Sequence, residues 1–300
     1  MTDVVTLSKA PGLLGTYGKA AIAALPLAGK LPGFPGGGGP VPTTVRRLEG
    51  VRLGSDQLAE LRKVTEDTTE GLPLLAPHLL AFPLHMAGMT DGSFPYPAIG
   101  TVHLDNLVER FERIPEDQPL DIEVRFVGPF PHRKGATFQI ESEASVRGKV
   151  LWRELSTMLR VGARAKKDAE ELPSLALPEG DEPAAGATAE EWTLPGGLGR
   201  TYAGVSGDRN PIHMSDLSAK PFGFPKAIIH GMWTASRIAA ALGDDLPDAA
   251  SLAVRFERPI LLPATVSLDR WTTGADTDLL VRSSNGERVH ARARLTPISR

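Results

Sequence analysis

The chain has 300 residues, of which 41% are hydrophobic and 23% are charged, an ordinary composition for a globular protein. Its formal net charge of −3 lacks the basic excess of nucleic-acid-binding proteins, so we expect no nucleic-acid partner. The absence of cysteine excludes disulfides, thiolate catalysis and cysteine metal ligands. No apolar run approaches the roughly 20 residues that span a bilayer, and we expect a cytoplasmic protein without a membrane span.

Four segments divide the chain. Residues 1–42 form an N-terminal extension with a short predicted helix at 20–28, and it ends in the flexible stretch Pro35-Gly36-Gly37-Gly38-Gly39-Pro40. Residues 166–190 mix Lys, Glu, Pro, Ala and Gly without apolar periodicity, which predicts a surface linker. The remaining blocks, 43–165 and 191–300, are predicted to be two domains.

The two blocks repeat each other. Arg110-Phe111-Glu112-Arg113 recurs about 145 residues later as Arg255-Phe256-Glu257-Arg258, and His85-Met86 recurs as His230-Gly231. Val64-Thr65-Glu66-Asp67 matches Val205-Ser206-Gly207-Asp208 at nearly the same offset. Since these matches keep their order and spacing, they indicate a duplication.

Each block has the same predicted order of elements, a short helix, a longer apolar helix and then strands. The first block has helices at 56–64, with Ser55 as N-cap, and 77–89, followed by strands at 121–127, 137–146 and 150–161. The second block has helices at 198–205 and 226–242, followed by strands at 251–256, 265–271, 279–283 and 288–295. Arg147-Gly148 and Asn285-Gly286 are predicted hairpin turns. The pattern indicates an α+β fold with a sheet curled around each long helix.

The segment from Tyr202 to His213 carries the most specific motif. Because Pro211 disfavours helix at the residue before it, we expect a turn-rich loop over residues 207–213. The run Ser206-Gly207-Asp208-Arg209-Asn210-Pro211-Ile212-His213, followed by Ile229-His230-Gly231-Met232, resembles the MaoC-like dehydratase or (R)-specific enoyl-CoA hydratase family. The two-domain actinobacterial dehydratases are the type that it resembles most.

That resemblance implies the fold and the chemistry. The expected fold is a double hot dog, with two helix-wrapped antiparallel sheets joined into one continuous sheet. The expected reaction is reversible addition of water to trans-2-enoyl thioesters to give (R)-3-hydroxyacyl thioesters. It needs no bound cofactor, and its substrate would be carried on coenzyme A or acyl carrier protein. A homodimer is left open.

Hydration of a conjugated thioester needs a base for water, an acid for the α-carbon and a donor for the enolate oxygen. Asp208 and His213 would share one water and supply the first two functions, because an imidazole titrates near working pH. The resemblance assigns the oxyanion donor to the N–H of Gly231, in the first turn of the second long helix. Asn210 is expected to fix the loop or orient the carboxylate. His230 is expected either to help bind the thioester or to have a structural role at the helix start.

Other interpretations fit the residues less well. A metal held by Asp208 and His213 lacks a supporting His or Cys cluster, so no metal is expected. A non-catalytic acyl-thioester-binding subunit of a lipid or polyketide assembly is the main alternative, which the intact Asp/His pair disfavours. A thioesterase would want a carboxylate in the long helix, and residues 233–242 contain none. The family's serine eight residues after the helix glycine is Ala239 here, and Ser236 is expected to pack.

The first block lacks the acid–base pair. Asp67 aligns with Asp208, but Leu72 stands where a histidine is needed. His78 and His85 are expected to be packing or capping residues. We expect this block to bind the acyl chain and favour long substrates, because Pro83 should kink or end its helix and leave space lined by apolar side chains.

Overall fold

A computed structural model describes residues 3–23, 33–38, 40–165 and 172–299. Of the helix predicted at 20–28, residues 20–23 form the end of α1, and residues 24–28 lie outside the described residues. Residues 166–171 of the predicted linker also lie outside them. None of the helices in the described ranges is long and apolar enough to span a bilayer.

Seven α-helices and eleven strands are found in the described residues. The helices are α1 (Leu13–Ala23), α2 (Ser55–Thr65), α3 (Ala76–Met89), α4 (Leu198–Ser206), α5 (Pro211–Met214), α6 (Asp216–Ala219) and α7 (Gly231–Leu242). The strands are β1 (Val4–Leu7), β2 (Val45–Val51), β3 (Thr101–Arg110), β4 (Leu120–His132), β5 (Gly135–Val146), β6 (Lys149–Val161), β7 (Thr188–Leu194), β8 (Ala250–Phe256), β9 (Ala264–Thr273), β10 (Asp276–Ser283) and β11 (Val289–Pro297). The predicted α+β class is confirmed.

The chain forms two compact units, of which the first contains Met1–Arg52, Pro77–Leu104 and Asp117–Ser174. Its strand order is β1-β2-β4-β5-β6-β3, and β1 pairs with β2 in parallel. The long hairpins β4–β5 and β5–β6 are antiparallel. Arg147 and Gly148 both have positive φ, 49° and 79°, in the predicted turn between β5 and β6.

Helix α3 lies in this first unit and runs without interruption from Ala76 to Met89, with Pro83 inside it. Pro83 therefore does not end the helix, contrary to one of the two expected effects. Leu79, Phe82 and Leu84 are buried core residues. We find them packed rather than lining open space, so their burial gives no support to an acyl-chain tunnel.

The two histidines of α3 have buried partners in the first unit. His78 Nδ1 lies 2.8 Å from Glu154 Oε2, and His85 Nε2 lies 2.7 Å from Ser142 Oγ. Burial, followed by the nearby charge of His78, lowers the pKa of His85 to about 3. Both rings therefore belong to the packed interior, as the sequence predicted.

The second unit contains Leu53–Ala76, Asp105–Glu116 and Leu175–Arg300. Its strand order is β3-β8-β11-β10-β9-β7, and every neighbouring pair is antiparallel. Helix α7 is almost entirely buried. Helix α2, which precedes the first block's strands in the sequence, packs on α4 and α7 in this unit.

Several predicted elements differ from the observed ones at their ends. Helix α2 begins at Ser55 with Gly54 as its N-cap, so the prediction of Ser55 as N-cap was wrong. Helix α7 begins at Gly231, not at residue 226. The residues before it are extended, because Ile228 forms an isolated bridge with Leu261 and Ile229 N–H donates to Ile260 O. Strand β7 begins at Thr188, inside the segment predicted as a linker.

Strands β1, β2, β3 and β7 were not predicted from the sequence. Strands β1 and β7 are largely exposed. In β3 every second residue from Asn106 to Arg110 is buried, but Asn106 and Arg110 are polar, so the sequence shows no apolar alternation there. The domain bounds at 43–165 and 191–300 were drawn from the sequence repeat. They differ from the bounds of the two compact units, and they remain a prediction.

Candidate active site

The end of α4 determines where Asp208 points. The helix ends at Gly207, which has a left-handed φ of 79° and whose N–H donates to Ala203 O at 3.0 Å. The N–H of Asp208 then donates to Ser206 Oγ at 3.2 Å. Asp208 Oδ1 accepts the backbone N–H of Asn210 at 3.1 Å. These local bonds fix the carboxylate while its side chain remains 29% exposed.

His213 lies on the short helix α5 and not on an irregular loop. Asn210 is the N-cap and Pro211 occupies the first helical turn, where a missing N–H costs no hydrogen bond. The sequence argument from Pro211 correctly excluded helix at Asn210, but it missed the turn of helix that begins at Pro211. This correction places His213 on a regular element.

The ring of His213 is oriented by a backbone carbonyl. His213 is buried, and its Nδ1 lies 2.8 Å from Ile228 O. Since a carbonyl only accepts, Nδ1 must donate, and the lone pair of the neutral ring is therefore on Nε2. That nitrogen is available to accept a proton.

His230 stands at the N-cap of α7 and contacts both members of the predicted pair. Its Nε2 lies 2.9 Å from the backbone oxygen of Asp208 and 3.9 Å from Asp208 Oδ2. Its ring stacks on that of His213, with centroids 3.6 Å apart and planes 23° from parallel. The ring of Tyr202 lies 5.1 Å from the His230 ring.

Asp208, His213 and His230 come together around one point. Each offers a ligand-type atom, and these atoms all lie within 4.8 Å of one another. One water can bridge two polar atoms at this separation, because each hydrogen bond spans about 2.8 Å. The same trio could hold a metal ion. His230 Nε2, however, lies 2.9 Å from the carbonyl oxygen of Asp208 and must donate to it, so this nitrogen has no free lone pair for a metal ion.

Burial controls the charge of both histidines. Desolvation lowers the pKa of His213, against the opposing effects of the Asp208 charge and the hydrogen bond to Ile228 O. Desolvation, followed by the neighbouring His213, lowers the pKa of His230 to about 3. Both rings are therefore neutral near pH 7, and His213 is in its proton-accepting form.

Gly231 provides a backbone donor beside these side chains. It is the first residue of α7, where backbone N–H groups have no acceptor within the helix and lie at its positive end. A Cβ at this position would lie 3.1 Å from the nearest atom of the Phe256 ring. A side chain at this position would therefore require the Phe256 ring or the start of α7 to shift by a few tenths of an ångström.

The remaining predicted site residues have supporting positions. Asn210 Oδ1 accepts the N–H of Ile212, and the backbone N–H of Asn210 donates to Asp208 Oδ1. Ser236 Oγ donates to Met232 O at 2.7 Å and is buried, as expected. Ala239 is buried in α7.

Sequence reasoning missed two parts of the site. The carbonyl of Ile228 has no sequence signal, because backbone acceptors are not encoded by residue type. Phe256 covers Gly231, and its place in the repeated Arg-Phe-Glu-Arg motif was the available clue.

The aligned residue of the first block has a different environment. Asp67 Oδ1 accepts the N–H and hydroxyl of Thr69 and a hydrogen bond from Arg62. Leu72, at the position of the histidine, is a buried core residue. Asp67 therefore stabilises a turn, in agreement with the predicted lack of an acid–base pair.

Comparison with known proteins finds relatives that are named as dehydratases or hydratases. The MaoC like domain family matches residues 197–290. The chain is 34% identical over 197 residues to 3-hydroxyacyl-thioester dehydratase X of Mycobacterium tuberculosis, covering 66% of this chain and 69% of that protein. It is 35% identical over 77 residues to an (R)-specific enoyl-CoA hydratase of Rhodospirillum rubrum, covering 24% of this chain and 54% of the relative.

A solved structure extends the likeness beyond the matched domain. The crystal structure of HtdX from Mycobacterium tuberculosis aligns with a TM-score of 0.73 at 29% identity, covering 85% of this chain and all of the other (100%). The fold that the motif implied is thereby confirmed. The motif, the fold and the relative that matches most of both chains agree, and the chain belongs to the MaoC-like dehydratase family.

Proposed function

We propose that this protein is a hydro-lyase that adds water reversibly to trans-2-enoyl thioesters and forms (R)-3-hydroxyacyl thioesters. The observation that carries the proposal is the pairing of a neutral, oriented His213 with the Asp208 carboxylate, within the span of one water. The names of the relatives from Mycobacterium tuberculosis and Rhodospirillum rubrum support the same reaction and substrate class.

The reaction can be followed atom by atom. The water oxygen bonds to C3 of the enoyl group, and the C2–C3 π electrons shift towards C2 and the carbonyl oxygen. One water proton stays on the new hydroxyl and the other passes to the Asp208/His213 pair, which delivers a proton to C2. The Gly231 N–H donates to the carbonyl oxygen while it carries negative charge. No proton is gained or lost overall.

Protonation of the pair sets the pH dependence. Hydration needs His213 neutral, and burial lowers the pKa of His213 below its usual value. The rate should therefore rise with pH through that lowered pKa and be fully developed at pH 7. A metal-dependent site would instead lose activity to a chelator, which we do not expect here.

Replacement of either partner tests the assignment. Asp208→Asn and His213→Ala should each lower kcat by about 10²- to 10⁴-fold, because one proton-transfer group is lost. Asp67→Asn is the matched control, since Asp67 is the aligned carboxylate of the first block, and it should keep near-wild-type activity.

The assay measures hydration of trans-2-enoyl thioesters of short to long chains on coenzyme A and on acyl carrier protein, with chiral separation of the product. We expect the (R) product, and a mainly (S) product would contradict the proposal. A folded wild-type protein that binds these thioesters but never hydrates them would instead be an acyl-binding subunit.

A further inference from the structure

His230 has a position that neither of the roles expected from the sequence explains. It is the N-cap residue of α7, with extended backbone angles of −65° and 139°, yet its side chain makes no capping hydrogen bond. It is 2% exposed, so its burial has to be compensated elsewhere. Its side chain therefore forms its hydrogen bond outside the first turn of α7, to the backbone oxygen of Asp208.

One edge of the His230 ring holds the Asp208 loop. Nε2 must be the donor to Asp208 O at 2.9 Å, because a carbonyl oxygen only accepts. This bond joins the start of α7 to a residue more than twenty positions earlier in the chain. On the opposite edge, Nδ1 is buried and makes no hydrogen bond within the described part of the chain. The ring is therefore anchored through Nε2.

The face of the His230 ring covers His213. The centroid separation of 3.6 Å is a van der Waals contact between nearly parallel rings. With Nδ1 of His213 bonded to Ile228 O, the covered face and the bonded edge leave Nε2 as the reactive part of that ring. His230 thus keeps water from one face of the base while Nε2 stays available.

Asp208 and His230 are the titratable groups beside His213 in the part of the chain that the structure describes. Desolvation lowers the pKa of His213 and outweighs the opposing charge of Asp208. On the surrounding elements, Arg200 donates to Met214 O and Asp216 accepts from Ala227 N–H, while Arg209 is exposed. Because His230 itself stays neutral, it affects its neighbour by excluding water and not by charge.

We propose that His230 is a positioning residue that holds the Asp208 backbone through Nε2 and shields one face of His213 through its ring. The inference rests on the proposed function for its effect on rate, but the two contacts do not depend on any substrate. A residue in this role affects turnover through Asp208 and His213 and leaves substrate binding almost unchanged.

Two variants separate the two contacts. His230→Gln keeps a side-chain N–H that can reach Asp208 O but removes the ring face. His230→Phe keeps an aromatic face over His213 but removes the donor. The first readout is the titration of the His213 ring, followed by NMR in histidine-labelled full-length protein without substrate and assigned with His213→Ala. The second is the pH profile of kcat and KM for hydration.

The expected results differ for the two variants. In His230→Gln the titration of His213 should move up by about one pH unit towards the ordinary histidine value, and the acidic limb of the rate profile should move with it. In His230→Phe the titration should stay at the wild-type value while kcat falls about 10- to 100-fold, because the Asp208 loop loses its anchor. KM should change less than about twofold in both.

Other results would overturn the inference. An unmoved His213 titration in His230→Gln would mean that the ring does not shield the base. A raised KM with unchanged kcat would make His230 a substrate-binding residue. If His230→Phe fails to fold, the titration of His230→Gln still decides the shielding. Because that titration needs no substrate, it stands even if wild-type protein hydrates no thioester, an outcome that would refute the proposed function instead.

Discussion

At the scale of single residues, Gly231 offers a backbone N–H donor, and the Phe256 ring leaves little room for a side chain at this position. The nearest Phe256 ring atoms would lie 3.1–3.2 Å from an added Cβ, so a side chain there has to displace the ring or the start of α7. If the start of α7 gives way, the Gly231 N–H, which we propose as the oxyanion donor, moves with it. Geometry of this kind has large effects on rate, because an oxyanion donor acts over a narrow range of distance.

We therefore expect Gly231→Ala to lower kcat by about 10²-fold, the effect of losing one oxyanion donor. Gly204→Ala is the control, since a Cβ at Gly204 in α4 meets nothing within 4 Å. Alanine favours helix over glycine by about 1 kcal/mol, so the control should be active and slightly more stable. Steady-state hydration kinetics measure kcat for both variants. Equal activity in both variants would rule out a role for the Gly231 amide.

The sequence predicted the acid–base pair because the spacing of its residues is local. Asp208, Asn210, Pro211 and His213 lie within one short segment, where motif and chemistry can be read together. The contacts of His230 could not be read in this way. They depend on where the start of α7 meets the Asp208 loop, and that is a property of tertiary packing. The Ile228 carbonyl was hidden for the same reason.

At the scale of elements, α7 is held in place by α2 and β7. The indole N–H of Trp233 donates to Val64 O at 2.8 Å, at the end of α2. Arg237 contacts Glu66 and Glu190 at 2.7 Å each, and its guanidinium lies 4.8 Å from the centre of the Trp192 ring. These bonds act on the helix whose first turn carries Gly231.

Trp233→Phe tests this support. Trp192 and Trp233 are each 4% exposed, so a change to phenylalanine leaves a similar cavity at either position. Trp233 bonds a backbone carbonyl, whereas Trp192 bonds Glu190, whose side chain is 47% exposed and reachable by water. Leaving the carbonyl unpaired should make Trp233→Phe less stable than Trp192→Phe by about 1–2 kcal/mol. Denaturant unfolding followed by circular dichroism measures the difference, and equal stabilities would contradict it.

Element prediction succeeded where periodicity was strong and failed where tertiary contacts override it. The hairpin β5–β6 and helices α2 and α4 were found within one or two residues. The apolar residues 227–229 continue the helical pattern of α7, but Ile228 N–H bonds to Ile212 O and Ile229 N–H to Ile260 O. Those partners lie far away in the sequence, and no local pattern distinguishes a buried extended segment from a helix.

At the scale of the whole molecule, the segments of the chain interleave. The unit that holds Asp208 and His213 includes Leu53–Ala76 and Asp105–Glu116, which come from the first half of the sequence. Gln57 in α2 donates to Val205 O at 2.8 Å, and Arg110 donates to Asp248 O at 2.9 Å. The repeat is visible in the sequence, but the exchange of segments is not, because composition and periodicity do not reveal partners.

A truncation shows whether this interleaving matters. A fragment of residues 191–300 carries the whole motif but lacks α2 and β3. It would lose the Val64 and Glu66 contacts of α7 and expose the edge of β8 that pairs with β3. We expect the fragment to show no cooperative thermal transition and to have lost hydratase activity, since the helix that presents Gly231 has lost its support.

The control is a fragment of residues 43–300, which removes only the N-terminal extension. Within that extension β1 is mostly exposed, and α1 buries only Ala20 and Ala23. We expect this longer fragment to melt cooperatively and to retain activity, because every described contact of the Asp208 and His213 unit discussed above is still present. If the 191–300 fragment instead melted at the temperature of the full chain and hydrated enoyl thioesters at the same rate, the motif-bearing block would be an autonomous domain, and the contacts of α2 would be dispensable for both stability and catalysis.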